Sequence, residues 1–183
     1  LEKAARHEPA LLMSRLYVTA EHAQWQSPFE TQVVTARQMG KIADTHTPQG
    51  LIAAVPLLPA APPRADERAV YLHEVQDPGN LGSVLRSLAW FGGFRCLLSP
   101  DSVDPHHPKV VRASMGAIFH VPVETGITLP TVAARYPRRA ILDLHGERLS
   151  HASFSTYGCL LFGNEARGLP RDALAGIDAQ SFS

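Results

Sequence analysis

The chain has 183 residues, 45% of them apolar and 19% charged, and its seventeen basic residues are balanced by seventeen acidic ones. This is the composition of an ordinary globular protein of one domain or one and a half. No apolar run approaches the ~18–20 residues of a membrane span, no charged-then-apolar leader opens the chain, and zero net charge weighs against holding nucleic acid by charge alone.

Ala10–Met13 reads as a short helix tail and Leu16–Thr19 as a strand. Thr31–Val34 is a second short strand, Ala36–Ala43 suits a helix, His46–Gly50 a turn and Leu51–Val55 a strand. Residues 1–55 therefore read as the back part of a small α/β module. Residues 56–68, with four prolines in thirteen positions, read as an extended, semi-rigid linker. From residue 69 to 183 strands alternate with helices, so we expect an α/β domain with a mostly parallel sheet covered on both faces.

That domain opens with the apolar strand Ala69–Leu72. Asp77-Pro78-Gly79-Asn80 then reads as a turn, with Pro78 fixing φ, Gly79 taking a positive φ and Asn80 capping the next helix. Leu81, Leu85 and Leu88 recur at helical spacing, and Gly92-Gly93 stops the run. Phe94–Leu98 is the next strand, Pro108–Phe119 a helix, His120–Val123 a short strand and Leu129–Tyr136 a helix. Ala140–Leu144 and Tyr157–Phe162 are strands, the second followed by a glycine-rich loop. Cys96 and Cys159 fall in apolar runs and read as buried free thiols, which fits a cytoplasmic protein. Arg135, Arg138 and Arg139 read as solvated surface arginines, with contact to phosphates as the alternative. His106-His107 lacks a matching Cys or His set at ligand spacing, so no metal is expected.

Two motifs carry a resemblance. Asn80-x5-Arg86 followed by Phe91-Gly92, and Phe162-Gly163-Asn164-Glu165-Ala166-Arg167-Gly168-Leu169-Pro170, resemble the first and second motifs of the SpoU-type RNA 2′-O-ribose methyltransferases of the SPOUT superfamily. The resemblance covers roughly residues 68–178. It implies a trefoil-knotted α/β fold (the α/β-knot), S-adenosylmethionine as cofactor, rRNA or tRNA as substrate and a homodimer. Periodicity alone points to an unknotted sheet.

On the resemblance, Arg86 activates the 2′-hydroxyl, Asn80 organises the active-site turn, and Glu165 bonds a ribose or orients Arg86. Leu142, Asp143, Leu144, Leu161, Phe162, Gly163, Asn164 and Gly168 border the cofactor. Lys109, Arg112 and Ser114 flank the RNA channel. Residues 1–55 resemble part of a ribosomal-protein-like RNA-binding module, with its opening elements missing. The third family motif is expected beyond residues 177–180. The opening at Leu1 and the stop at Ser183 lead us to expect a longer protein that carries it. The alternative is a non-catalytic RNA-binding protein on the same scaffold. A different α/β enzyme binding a nucleotide at Asp77–Gly82 should carry a fingerprint glycine loop, which is not found.

Overall fold

The computed structural model describes residues 1–148, 156–174 and 177–183. They form two compact units, Leu1–Pro59 and Ala60–Ser183. In the first, strands Arg15–Val18 (β1), Glu30–Val33 (β2) and Leu51–Ala54 (β3) make a sheet in the order β2-β1-β3. β1 runs parallel to β2 and antiparallel to β3. Helix Ala36–Ile42 opens with a capping box, in which Thr35 Oγ1 accepts from the Gln38 amide while Gln38 Oε1 accepts from the Thr35 amide.

The second unit holds strands Arg68–Leu72 (β4), Phe94–Leu98 (β5), Val123–Glu124 (β6), Arg139–Glu147 (β7), Cys159–Phe162 (β8) and Gln180–Phe182 (β9). They form one sheet in the order β6-β5-β4-β8-β7-β9, and each neighbouring pair is parallel. The chain first marches outward from β4 to β5 and β6. It then crosses over to β7 and inserts β8 between β7 and β4. The order therefore switches direction at β4/β8, where open α/β sheets form a ligand crevice at the strands' carboxyl ends.

Alternation along the strands builds two cores. Val70, Leu72, Cys96, Leu98 and Leu160 pack on one face with Leu81, Leu85 and Leu88 of helix Pro78–Phe91 (α1). Ala69, Tyr71, Leu97, Cys159 and Leu161 pack on the other with Leu129 and Val132 of helix Leu129–Arg135. Successive strand side chains point to opposite faces, so each apolar run fills both layers.

Four expectations change. The helix over Pro108–Phe119 is two pieces, Pro108–Ala113 (α2) and a 3₁₀ turn at Ala117–Phe119. Between them Met115 and Gly116 adopt left-handed φ values of 50° and 90°, which end the first piece. Ser114 is fully buried, its hydroxyl donating to Val111 O at 2.8 Å, so it is a packing residue rather than one lining an RNA channel. Arg139 is buried too, donating to the carbonyls of Ala133, Tyr136 and Asp178, which removes it from any solvated cluster. Of its two neighbours, Arg135 pairs with Glu124 at 2.7 Å and Arg138 lies over the Tyr157 ring. Finally, Gln180–Phe182 had no sequence signal as a strand, yet it pairs with β7 along Ala140–Leu142.

A buried charge also ties the sheet to the segment before it. Arg95, 1% exposed, donates to Glu67 and Glu124 carboxylates at 3.0 Å each and to Ala61 O at 2.6 Å. A guanidinium buried this far needs its donors occupied, and removing one partner would leave an uncompensated charge. Among the described residues, no helix is long and apolar enough to cross a membrane.

Gly82 is where α1 and α2 touch. A Cβ there would sit 2.4 Å from Ala113 Cβ and 2.8 Å from Ala113 C. Gly82→Ala should therefore cost about 1–3 kcal/mol through overpacking, whereas Ser83→Ala on the exposed side should stay within about 0.5 kcal/mol. Urea unfolding of the two variants measures the contrast.

Burial pushes the Cys96 thiol from 9.0 up to about 12, and Cys159 likewise despite the lowering effect of Arg139. Folded-state values raised above the unfolded ones give a stability contribution complete below pH 9 and lost as pH rises towards 12. Neither thiol should react with iodoacetamide at pH near 8 until the chain is unfolded in guanidinium. Mass spectrometry of the alkylated protein reads this directly.

Candidate functional site

β4 and β8 leave the sheet side by side. Leu72 and Phe162 are register partners, and the His73 amide donates to Phe162 O at 2.9 Å, which extends the ladder by one residue. The two loops that follow are therefore neighbours from their first residue. One is His73–Asp77, leading into α1. The other is Gly163–Pro170.

In the first loop Glu74 sits at φ 47°, a left-handed conformation costing a non-glycine residue about 1–3 kcal/mol. The site holds it by every polar group. Its amide donates to Ser99 Oγ at 2.7 Å, at the end of β5. Its carbonyl accepts from Asn164 Nδ2 at 2.8 Å. Carboxylate Oε2 lies 2.6 Å from Arg167 Nη2, and Oε1 lies 3.5 Å from His73 Nε2. Beneath it, the buried Tyr71 hydroxyl lies 3.4 Å from His73 Nδ1, and burial pushes this phenol up to about 12, so it stays neutral.

The helix start corrects the expected cap. Asp77, not Asn80, is the N-cap, its Oδ1 accepting from the Asn80 amide at 2.8 Å, and Pro78 is the first helical residue. Asp is as good a cap as Asn, and proline's fixed φ suits the first turn, so Asp-Pro starts the helix three residues earlier than the turn reading allows. Gly79 is accordingly helical and takes no positive φ. This frees the Asn80 side chain. Its Nδ2 donates across to Glu165 Oε1 at 3.1 Å, joining the two loops.

The second loop is built around Asn164, which is 9% exposed. Its amide donates to Gly168 O at 3.0 Å and its carbonyl accepts from Gly168 N at 2.8 Å. Its side-chain oxygen accepts from the amides of Ala166 and Arg167. A Cβ on Gly163 would lie 2.2 Å from Gly168 C, so only glycine permits this closure. Gly168 has φ 66° and nothing within 4 Å of a Cβ built on it, so it faces open space.

Of the expected catalytic residues, Asn80 and Glu165 meet directly. Arg86 lies on α1, exposed, and makes no hydrogen bond or ion pair with the described residues. It stands seven residues after Gly79, hence on the same helix face as the first turn. Phe162, 36% exposed, lies between the cores and solvent at the end of β8. Leu161 is fully buried in a core, so its side chain is unavailable to a ligand. Leu142 is paired in register with Phe162, and Asp143 follows it, exposed. The Leu144 side chain lies outside the described residues. Lys109 and Arg112 are exposed on α2. His107 spends its Nδ1 capping that helix, accepting from the Lys109 amide at 3.2 Å.

Sequence reasoning missed Glu74, Arg167 and Ser99. Glutamate is no turn former, so nothing local marks the left-handed position. Arg167 lies within the second motif, but its partner is 93 positions away.

The SpoU rRNA Methylase family model matches residues 67–181. A protein named as an uncharacterized tRNA/rRNA methyltransferase from Synechocystis sp. is 30% identical over 149 residues, covering 78% of this chain and 54% of that protein. The chain thus spans about half the length of this curated relative. A TrmH-family protein of solved structure from Porphyromonas gingivalis superposes with TM-score 0.77 at 28% identity, over 99% of this chain and 76% of that one. The SpoU methyltransferase AviRb from Streptomyces viridochromogenes, solved with AdoMet, gives TM-score 0.75 at 23% identity, over 92% and 72% of the two chains.

The cap assignment has a direct consequence. Asp77→Ala should cost about 1 kcal/mol of stability, while Asn80→Ala, which breaks an exposed bond and no cap, should cost under about 0.5 kcal/mol. Denaturant titration separates the two, and the reverse order would restore Asn80 as the cap.

Proposed function

The chain belongs to the SpoU rRNA methylase family, and on that premise we propose that it methylates a ribose 2′-hydroxyl of rRNA or tRNA, with S-adenosylmethionine as donor. The observation that carries the reading is the Asn80–Glu165 hydrogen bond at 3.1 Å, which joins the loops after β4 and β8 at the start of a helix whose exposed Arg86 has no partner among the described residues. The AdoMet-bound neighbour of the same fold supports the choice of cofactor.

The residues present fit that cofactor. Gly168 faces open space, so a ligand can approach its backbone. Asn164 exchanges backbone hydrogen bonds with it, and Phe162, two residues earlier, is paired in register with Leu142 of β7. Such backbone donors and acceptors suit an adenine edge and ribose hydroxyls. Bound there, S-adenosylmethionine supplies an electrophilic methyl group.

This chain's own residues would meet two further needs. The first is orientation, since the hydroxyl must approach the methyl in line. Asn80 and Glu165 brace the loops that would set that approach. The second is charge, because a ribose hydroxyl is a very weak acid. Arg86 is always cationic and its fork can hold a phosphate while directing a donor at the sugar oxygen, which favours the alkoxide. Lys109 and Arg112 on α2 would contact the RNA backbone. RNA is required because DNA offers no 2′-hydroxyl.

The homodimer and the trefoil knot are part of the same proposal and rest on the resemblance. Residence in the cytoplasm is supported by two free, buried thiols. With Asn80, Arg86 and Glu165 all in place, catalysis is favoured over RNA binding alone.

The test is transfer of tritiated methyl from S-adenosylmethionine to deproteinised rRNA and tRNA, with nucleoside mass spectrometry of the product. We expect 2′-O-methyl nucleosides, and Arg86→Ala should fold normally yet lose roughly a hundredfold in rate. Base-methylated nucleosides, or near-normal turnover by the variant, would overturn this chemistry.

A further inference from the structure

We propose that Glu74 is a positioning residue: it engages Arg167 and Asn164 so that Glu165 stays paired with Asn80. The inference rests on the reading above for what the site does. It starts from a contradiction in the first loop. Glu74 occupies φ 47°, where glycine would sit without strain. In return its carboxylate gains an ion pair whose arginine side chain is 71% exposed. Pairs this open to solvent contribute little to stability. Glycine would keep the backbone bonds to Ser99 and Asn164 without the strain, so what the glutamate adds is the pair, and its use lies in what it places.

What it places is Arg167, two residues beyond Glu165 in the same tight loop. Arg167 Nη2 lies 2.6 Å from Glu74 Oε2, while among the described residues Glu165 Oε1 accepts from a neutral amide, Asn80 Nδ2, at 3.1 Å. A guanidinium is a stronger partner for a carboxylate than an amide is. Released from Glu74, Arg167 would compete for Glu165 and break the Asn80 bond. The backbone of Glu74 adds a second restraint, since its carbonyl accepts from Asn164 Nδ2 at 2.8 Å. Asn164 in turn organises the amides of Ala166, Arg167 and Gly168. Ser99 Oγ, bound to the Glu74 amide at 2.7 Å, anchors the arrangement to the end of β5.

Glu74→Gly removes the carboxylate and relieves the strain while leaving the backbone carbonyl in place. We expect its Tm to be unchanged or higher, its kcat for methyl transfer to rRNA to fall about tenfold, and its amides at Ala166–Gly168 to exchange faster with deuterium. Glu74→Gln keeps an acceptor for Arg167 and should stay within about threefold of the parent. Arg167→Ala should remove the competitor together with the latch, so Glu74→Gly/Arg167→Ala should recover part of the rate lost by Glu74→Gly alone. A Glu74→Gly variant with parental turnover and parental amide exchange overturns the proposal. So does a fall in Tm that accounts for the lost rate. If the parent chain transfers no methyl group at all, the functional reading fails by itself, and Glu74 is then judged on amide exchange alone.

Discussion

The carboxyl-terminal end of the sheet depends on one adjacency, two parallel strands whose last residues are register partners. Leu72 and Phe162 are 90 positions apart in the chain, yet their pairing and the His73–Phe162 hydrogen bond make neighbours of the two loops. The adjacency requires β8 to be inserted between β4 and β7, at the point where strand order reverses. Alternating side chains fill a core on each face, so neither strand can slip by one residue without exchanging buried and exposed positions.

Local chemistry then refines what the sheet brings together. Asp77 takes the capping duty and so leaves Asn80 free to cross to Glu165. Asn164 satisfies the loop from within, with its amide, carbonyl and side-chain oxygen all turned on neighbouring peptide groups. Glu74 is the exception to local economy. It is held in a costly backbone conformation by bonds to Ser99 at the end of β5 and to Asn164 and Arg167 in the loop after β8. Strain kept in place by surrounding contacts is characteristic of positions where geometry outranks stability.

The charges divide in the same way. Arg95 and Arg139 are buried, Arg95 against two carboxylates and a carbonyl and Arg139 against three carbonyls, so they serve the fold. Arg135 is paired and Arg138 lies over an aromatic ring. Arg86, on the site's helix, is exposed without a partner among the described residues. A zero net charge is thus compatible with a local cationic group on the site's helix, because Arg95, Arg139, Arg135 and Arg138 spend their charges on contacts elsewhere in the sheet's unit.

The sequence alone determined the alternating α/β layout, the strands around Val70, Cys96 and Leu160, the stop at Gly92-Gly93 and the two motifs that meet at the crevice. These follow from period-two and period-3.6 burial and from glycine's freedom at positive φ, which are properties of short windows. Only the tertiary structure decided the rest. Asp-Pro gives Asp77 the cap locally, but the crossing of the freed Asn80 to Glu165, 85 positions away, exists only in the fold. Ser114 and Arg139 look like surface residues until Gly82 and the Asp178 carbonyl close over them. Gln180–Phe182 is a strand because β7 offers it an edge. The Glu74–Arg167 pair spans 93 positions, and no local pattern reports a contact that exists only once β8 lies beside β4.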